Sequence, residues 1–109
     1  MREYELLMVL QPGLDDEGVT SVIGEVEQRL QKDGGEMVMS GQLTDRKGSV
    51  AEVTEGWKTR RLAYPIDNHR EGYYVVLRLQ TPPGSIDEME RGLRLDENVL
   101  RYMTIREEE

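Results

Sequence analysis

Residues 72–95 read GYYVVLRLQTPPGSIDEMERGLRL, and three signals in this stretch decide the fold. Tyr73 to Gln80 is an apolar run rich in aromatic and β-branched side chains, which predicts a strand. Thr81-Pro82-Pro83-Gly84 breaks it, because proline offers a ladder no N–H and fixes its own backbone. Ser85-Ile86-Asp87-Glu88 then fits a capping box, where Ser85 and Glu88 satisfy each other's unpaired N–H groups. Ile86, Met89 and Leu93 give the helix that follows a narrow apolar stripe. Asp96-Glu97-Asn98 turns the chain, and Val99 to Arg106 is a further strand.

The first half of the chain repeats the order strand, helix, strand. Glu3 to Leu10 is a strand ended by Gln11-Pro12-Gly13, with Tyr4, Leu6, Met8 and Leu10 on one face and Glu3, Glu5, Leu7 and Val9 on the other. Asp15 or Asp16 caps a helix, with Glu17 in its first turn. Val19, Val22, Ile23, Val26 and Leu30 recur at helical spacing, and Gly34-Gly35 stops it. Glu36 to Leu43 is a second strand. Thr44 to Gly56 is mostly polar and reads as an inserted loop or small hairpin interrupting a longer strand. With only Val50, Ala51 and Val53 to bury, it is expected to be mobile and open to shortening. Strand character resumes at Trp57 and reaches Ile66, where Pro65 suits an edge or an end. Asp67 to Gly72 is expected to be a turn.

The order is therefore β-α-β-β-α-β. Right-handed crossovers place both helices on one face of a four-stranded antiparallel sheet with the first and third strands central. The expected fold class is α+β: a ferredoxin-like two-layer sandwich, one domain over residues 1–106, with Glu107-Glu108-Glu109 as an acidic tail. Leu6, Met8 and Leu10 with Tyr73, Val75, Leu77 and Leu79 should face the helices. Leu7, Val9, Tyr74, Val76 and Arg78 should lie on the face left open, and a partly apolar open face commonly meets a partner.

Composition narrows the function classes. The 109 residues suffice for one core, and no apolar run approaches the ~20 residues of a membrane helix. There is no cysteine, hence no disulfide, zinc thiolate or thiol nucleophile. Met1-Arg2-Glu3-Tyr4-Glu5 runs directly into a strand, so no signal peptide is expected and the cytosol is the default compartment. The 14 Lys and Arg against 22 Asp and Glu give a net charge of −8, unevenly spread. Residues 1–45 carry −7, residues 46–84 carry +3 and residues 85–109 carry −4. A polyanion would be repelled by most of this surface and tolerated only at the middle segment and particular arginines.

Little here suggests an enzyme. His69 is the only histidine, lies in the expected turn and has no partner for a metal site or a triad. No glycine-rich phosphate loop is present, and neither cofactor nor metal is expected. Trp57-Lys58-Thr59-Arg60-Arg61 combines an aromatic with three cations, which can stack on a base and pair with phosphates; charges on an edge strand also block aggregation. Arg91 and Arg94 share a helix face, and Arg101 follows in the adjoining strand. These could equally pair with Glu88, Glu90 or Glu97. Because the first and last strands pair antiparallel, Arg2 should lie nearer Arg106 than Arg101.

Arg2-x-Tyr4-Glu5, Pro12 and Asp15, Arg60-Arg61-Leu62-Ala63-Tyr64-Pro65-Ile66, Gly72-Tyr73-Tyr74 and Asn98-Val99-x-Arg101-x-Met103 together resemble bacterial small-subunit ribosomal protein six. The resemblance covers nearly the whole chain in order, and the heptapeptide from Arg60 to Ile66 is its most specific part. Thr44 to about Gly56 departs from it by being longer than the family pattern. The resemblance implies a ferredoxin-like component of the small subunit, cytoplasmic and on the ribosome. It also implies binding to central-domain ribosomal RNA as a heterodimer with small-subunit protein eighteen, without DNA or membrane partners. It carries RNA contact to Arg2, Arg91, Arg94 and Arg101, and a weaker expectation of partner or RNA contact to Lys58, Arg60, Arg61 and Tyr64. The acidic tail resembles family C-termini that in some bacteria receive added glutamates. A free-standing ferredoxin-like dimer, or a ligand-binding module using the open face, is the alternative. An acylphosphatase-like enzyme is a distant third, without the phosphate loop it would need.

Overall fold

The computed structural model describes residues 1–107. Its elements are β1 (Arg2–Leu10), α1 (Asp16–Lys32), β2 (Glu36–Leu43), β3 (Val50–Ala51), β4 (Thr59–Ile66), β5 (His69–Thr81), α2 (Ser85–Leu95) and β6 (Val99–Arg106). The expected ferredoxin-like layering holds. β5 and β1 are central, and the strands run in the order β3-β2-β5-β1-β6.

One edge of β5 is shared by two strands. β2 pairs with it from Glu36↔Gln80 to Gln42↔Val75, and β4 takes over from Thr59↔Tyr73 to Ile66↔His69. These are the two parts of the interrupted strand, laid end to end. The residues between them form a small hairpin, in which β3 pairs Val50 with Leu43 and Ala51 with Gln42. Its far end is tied down. Asp16 Oδ1 accepts the Trp57 N–H at 3.0 Å, Gln42 Oε1 accepts that of Lys58 at 3.0 Å, and Gln42 Nε2 donates to the Gly56 carbonyl at 3.4 Å. Trp57 itself packs against the core. The last residue of the insert is thus held through its carbonyl, and the two residues after it through backbone N–H groups that meet acceptors on α1 and β2.

Alternation along β1 and β5 puts Leu6, Met8, Leu10, Tyr73, Val75, Leu77 and Leu79 under the helices, all in one buried cluster. α1 contributes Val19, Val22, Val26 and Leu30 to it, and α2 contributes Met89 and Leu93. Asp15 is the cap of α1: its Oδ1 accepts the Gly18 N–H at 2.8 Å. The helix ends in a Schellman motif, with Gly34 at φ 79° and the Gly35 N–H donating to the Leu30 carbonyl at 2.8 Å. The Gln11 N–H donates to the Asn98 carbonyl at 2.9 Å, joining the two turns that lead into α1 and β6.

Two local expectations are corrected. The capping box at Ser85 does not form: Gly84 is the cap residue and no side chain bonds the helix start. The Ser85 and Ile86 N–H groups already donate to the Pro82 and Pro83 carbonyls, which draws Ser85 into the helix as its first residue. The turn expected at 67–72 contracts to Asp67-Asn68, both at positive φ (48° and 69°) as a type I′ hairpin requires. His69 is thus the first residue of β5, half-buried, rather than a turn residue. Of the acidic tail, Glu107 still donates its N–H to the Glu3 carbonyl at 2.9 Å; Glu108 and Glu109 lie outside the described residues.

Candidate nucleic-acid and partner interface

The face of the sheet away from the helices is built by register. On β1, Glu5 lies between Arg78 and Ile105, Leu7 between Val76 and Met103, and Val9 between Tyr74 and Arg101. Directly paired residues share a face, so these rows form an apolar band with charges at its margins. Glu5 meets Arg78 at 3.6 Å, while Met103 and Ile105 are 50% and 44% exposed. Exposed side chains of this size stand on a surface suited to another macromolecule. Met103 and Ile105 were legible from parity along the last strand, since they alternate with Tyr102 and Thr104.

Beyond the end of β1 the β4–β5 hairpin extends this face and turns back over it. Gly72 allows the close approach, since a Cβ there would stand 2.8 Å from both the Leu10 carbonyl oxygen and Val9 Cγ1. Leu62 is buried beside it. The register of β4 shifts between Arg61 and Ile66, and the irregular stretch brings Tyr64 to β6. There the Arg101 guanidinium stands 5.1 Å from the Tyr64 ring centroid and donates a hydrogen bond to its hydroxyl. Leu7, Val9, Leu62, Tyr64, Tyr74 and Met103 line the hollow between hairpin and sheet, about 440 Å³ in volume.

The cationic residues do not form one patch. Arg101 and Tyr64 meet, and Arg94 Nη1 donates to the Tyr102 hydroxyl at 3.0 Å one strand position away. Arg91 lines a shallow hollow with Arg29, Leu95 and Glu97, beside the end of α2. Arg2 stands apart. Tyr4↔Arg106 and Val9↔Arg101 place it at the Arg106 end of the sheet, about 23 Å from Arg101 along the strand at ~3.3 Å per residue. Arg91, Arg94 and Arg101 make none of the ion pairs that their spacing allowed. Among the described residues, ion pairs join only Lys58 to Glu55 and Arg78 to Glu5.

The run from Trp57 to Arg61 is divided rather than gathered. Trp57 packs inward and Lys58 is tied through its backbone to Gln42. Arg60 opposes Gly72 while Arg61 opposes Glu71, so the two arginines point to opposite faces. The two arginines therefore do not stand together beside the partly buried Trp57 ring. No group of three or more His, Asp or Glu that could hold a metal exists among the described residues.

Comparison with known proteins agrees with this architecture. Residues 39–106 match the family model for ribosomal protein S6. The chain is 36% identical over 108 residues to small ribosomal subunit protein bS6 of Desulforudis audaxviator, covering 99% of this chain and 100% of that one. It is 36% identical over 109 residues to the bS6 protein of Syntrophomonas wolfei, covering 100% and 99%. The crystal structure of 30S ribosomal protein S6 from Thermotoga maritima aligns with a TM-score of 0.76 at 20% identity, over 97% of this chain and 87% of that one, and shows the same fold. By the family model and by full-length relatives, the chain belongs to the ribosomal protein S6 family.

Proposed function

We propose that this chain, a structural and non-enzymatic component of the small ribosomal subunit in the cytoplasm, binds central-domain ribosomal RNA jointly with small-subunit protein eighteen. The observation that carries the reading is the adjacency of two unlike surfaces. An apolar sheet face, suited to a protein partner, ends at β6, where exposed Arg101 and the neighbouring Arg94 of α2 meet no carboxylate among the described residues and are suited to phosphates. Arg91 extends the cationic part along α2, and Arg2 serves a separate contact at the far end of the sheet. Lys58, Arg60 and Arg61 make a second, lesser contact with partner or RNA at and before β4, while Tyr64 contributes through its bond to Arg101.

A net charge of −8 opposes RNA at long range, so a few phosphate contacts give weak binding until a basic partner offsets the repulsion. Filter retention of central-domain RNA at physiological salt tests this. Affinity should rise by orders of magnitude when the partner protein is added. Equal affinity with and without it would overturn joint binding. Sedimentation with the small subunit separates this reading from that of a free-standing dimer or ligand-binding module.

A further inference from the structure

β6 pairs with β1 on one side and forms the sheet's edge on the other. Its consecutive residues 101 and 102 point to opposite faces, and each takes part in one arginine–tyrosine pair. On the open face the Arg101 guanidinium lies over the Tyr64 ring and donates to its hydroxyl. On the helix face Tyr102 packs against the core and its hydroxyl accepts a hydrogen bond from Arg94 of α2. Two exposed guanidiniums thus stand on either side of one strand edge, each anchored to a phenol. Tyr64 lies 37 residues before Arg101, and Tyr102 lies eight residues after Arg94 across the turn from α2 to β6, so the fold brings each pair together.

We propose that Tyr64 and Tyr102 are positioning residues that hold Arg101 and Arg94 astride the β6 edge to grip one stretch of RNA phosphate backbone. The inference rests on the RNA-binding reading above. An unanchored arginine loses rotamer freedom when it meets a phosphate; one already held by a phenol has less to lose. Each guanidinium has five N–H donors and spends one on its tyrosine, leaving enough for a bidentate phosphate contact. A phenol carries no charge and releases no counterion from RNA. The tyrosines should therefore act on affinity without acting on its salt dependence.

The experiment measures RNA affinity across a salt titration, using the full chain with its partner protein. R101A and R94A should weaken binding and lower the salt slope by about one unit each. Y64F and Y102F keep the rings and remove only the anchoring hydroxyls. Each should weaken binding about three- to tenfold at unchanged slope. Neither phenylalanine should cause further loss when its arginine is already alanine. Phenylalanine variants that bind like the parent would overturn the proposal and leave the RNA-binding reading standing. Losses that persist in the R101A and R94A backgrounds would also overturn it, by showing that the hydroxyls meet RNA themselves. Unchanged affinity and slope in R101A and R94A would remove this surface as the RNA site, and the positioning role with it. Thermal midpoints equal to the parent's confirm that each variant is folded.

Discussion

Arg101 and Leu6 stand on strands one place apart in the sheet and should respond to alanine in opposite ways. Arg91, Arg94 and Arg101 are exposed, so R91A, R94A and R101A should each cost the fold less than ~0.5 kcal/mol in urea unfolding while weakening assembly onto RNA. Leu6 and Met8 are fully buried, and L6A or M8A should open a cavity costing ~2–5 kcal/mol. If the arginine variants assemble as the parent does, Lys58, Arg60 and Arg61 are the next set to replace. Asp45 makes a third kind of contribution. Hydrogen bonds from Ser49, and then from Lys47 and Gly48, hold its carboxyl below the ordinary aspartate value. The depressed pKa means that the contribution is complete above the ordinary value and is lost as pH falls through the lowered one. Carboxyl-detected NMR should show Asp45 titrating below the ordinary aspartate value, and the 45–49 turn loosening with it.

The hairpin between β2 and β4 has a part that can be removed and a part that cannot. Replacing residues 46–54 with a short turn should cost less than ~1 kcal/mol, because they bury little. D16A removes the acceptor of the Trp57 N–H and should cost about 1 kcal/mol while exposing the ring. Trp57 is the only tryptophan, so its fluorescence should shift to longer wavelength in D16A and stay put in the shortened loop. The sequence made the division of the long strand readable, since a polar run with Gly48 and Gly56 lies between two apolar ones. It did not show the anchoring at residues 56–58, because Asp16 and Gln42 serve as acceptors only once three elements meet. The core was readable for the opposite reason: strict alternation in β1 and β5 is local and survives folding unchanged. Tyr64 reaching Arg101 was hidden by the register shift in β4, which no periodicity encodes.

At the scale of the whole molecule, charge and connectivity set the behaviour. On the function proposed above, the negative surface field should make RNA binding depend on a partner and on salt. The sheet order makes β1, the first strand, depend on the strands farthest from it in sequence. Within the sheet β1 pairs with β5 and β6, from Leu10↔Tyr73 to Tyr4↔Arg106, across separations of 63 to 102 residues. A chain ended after Asn98 lacks β6 and leaves Leu7 and Val9 beside an open edge; far-ultraviolet circular dichroism should show it unfolded or aggregated. The same pairing governs the protein's own synthesis. While the chain is being translated, β1 emerges with Leu6, Leu7, Met8, Val9 and Leu10 and waits for both neighbours to be made. At ~5–20 residues per second that wait lasts several seconds. The sheet cannot close around β1 until β6 has left the exit tunnel, so the nascent chain carries an adhesive strand with one edge unpaired even after β5 has emerged.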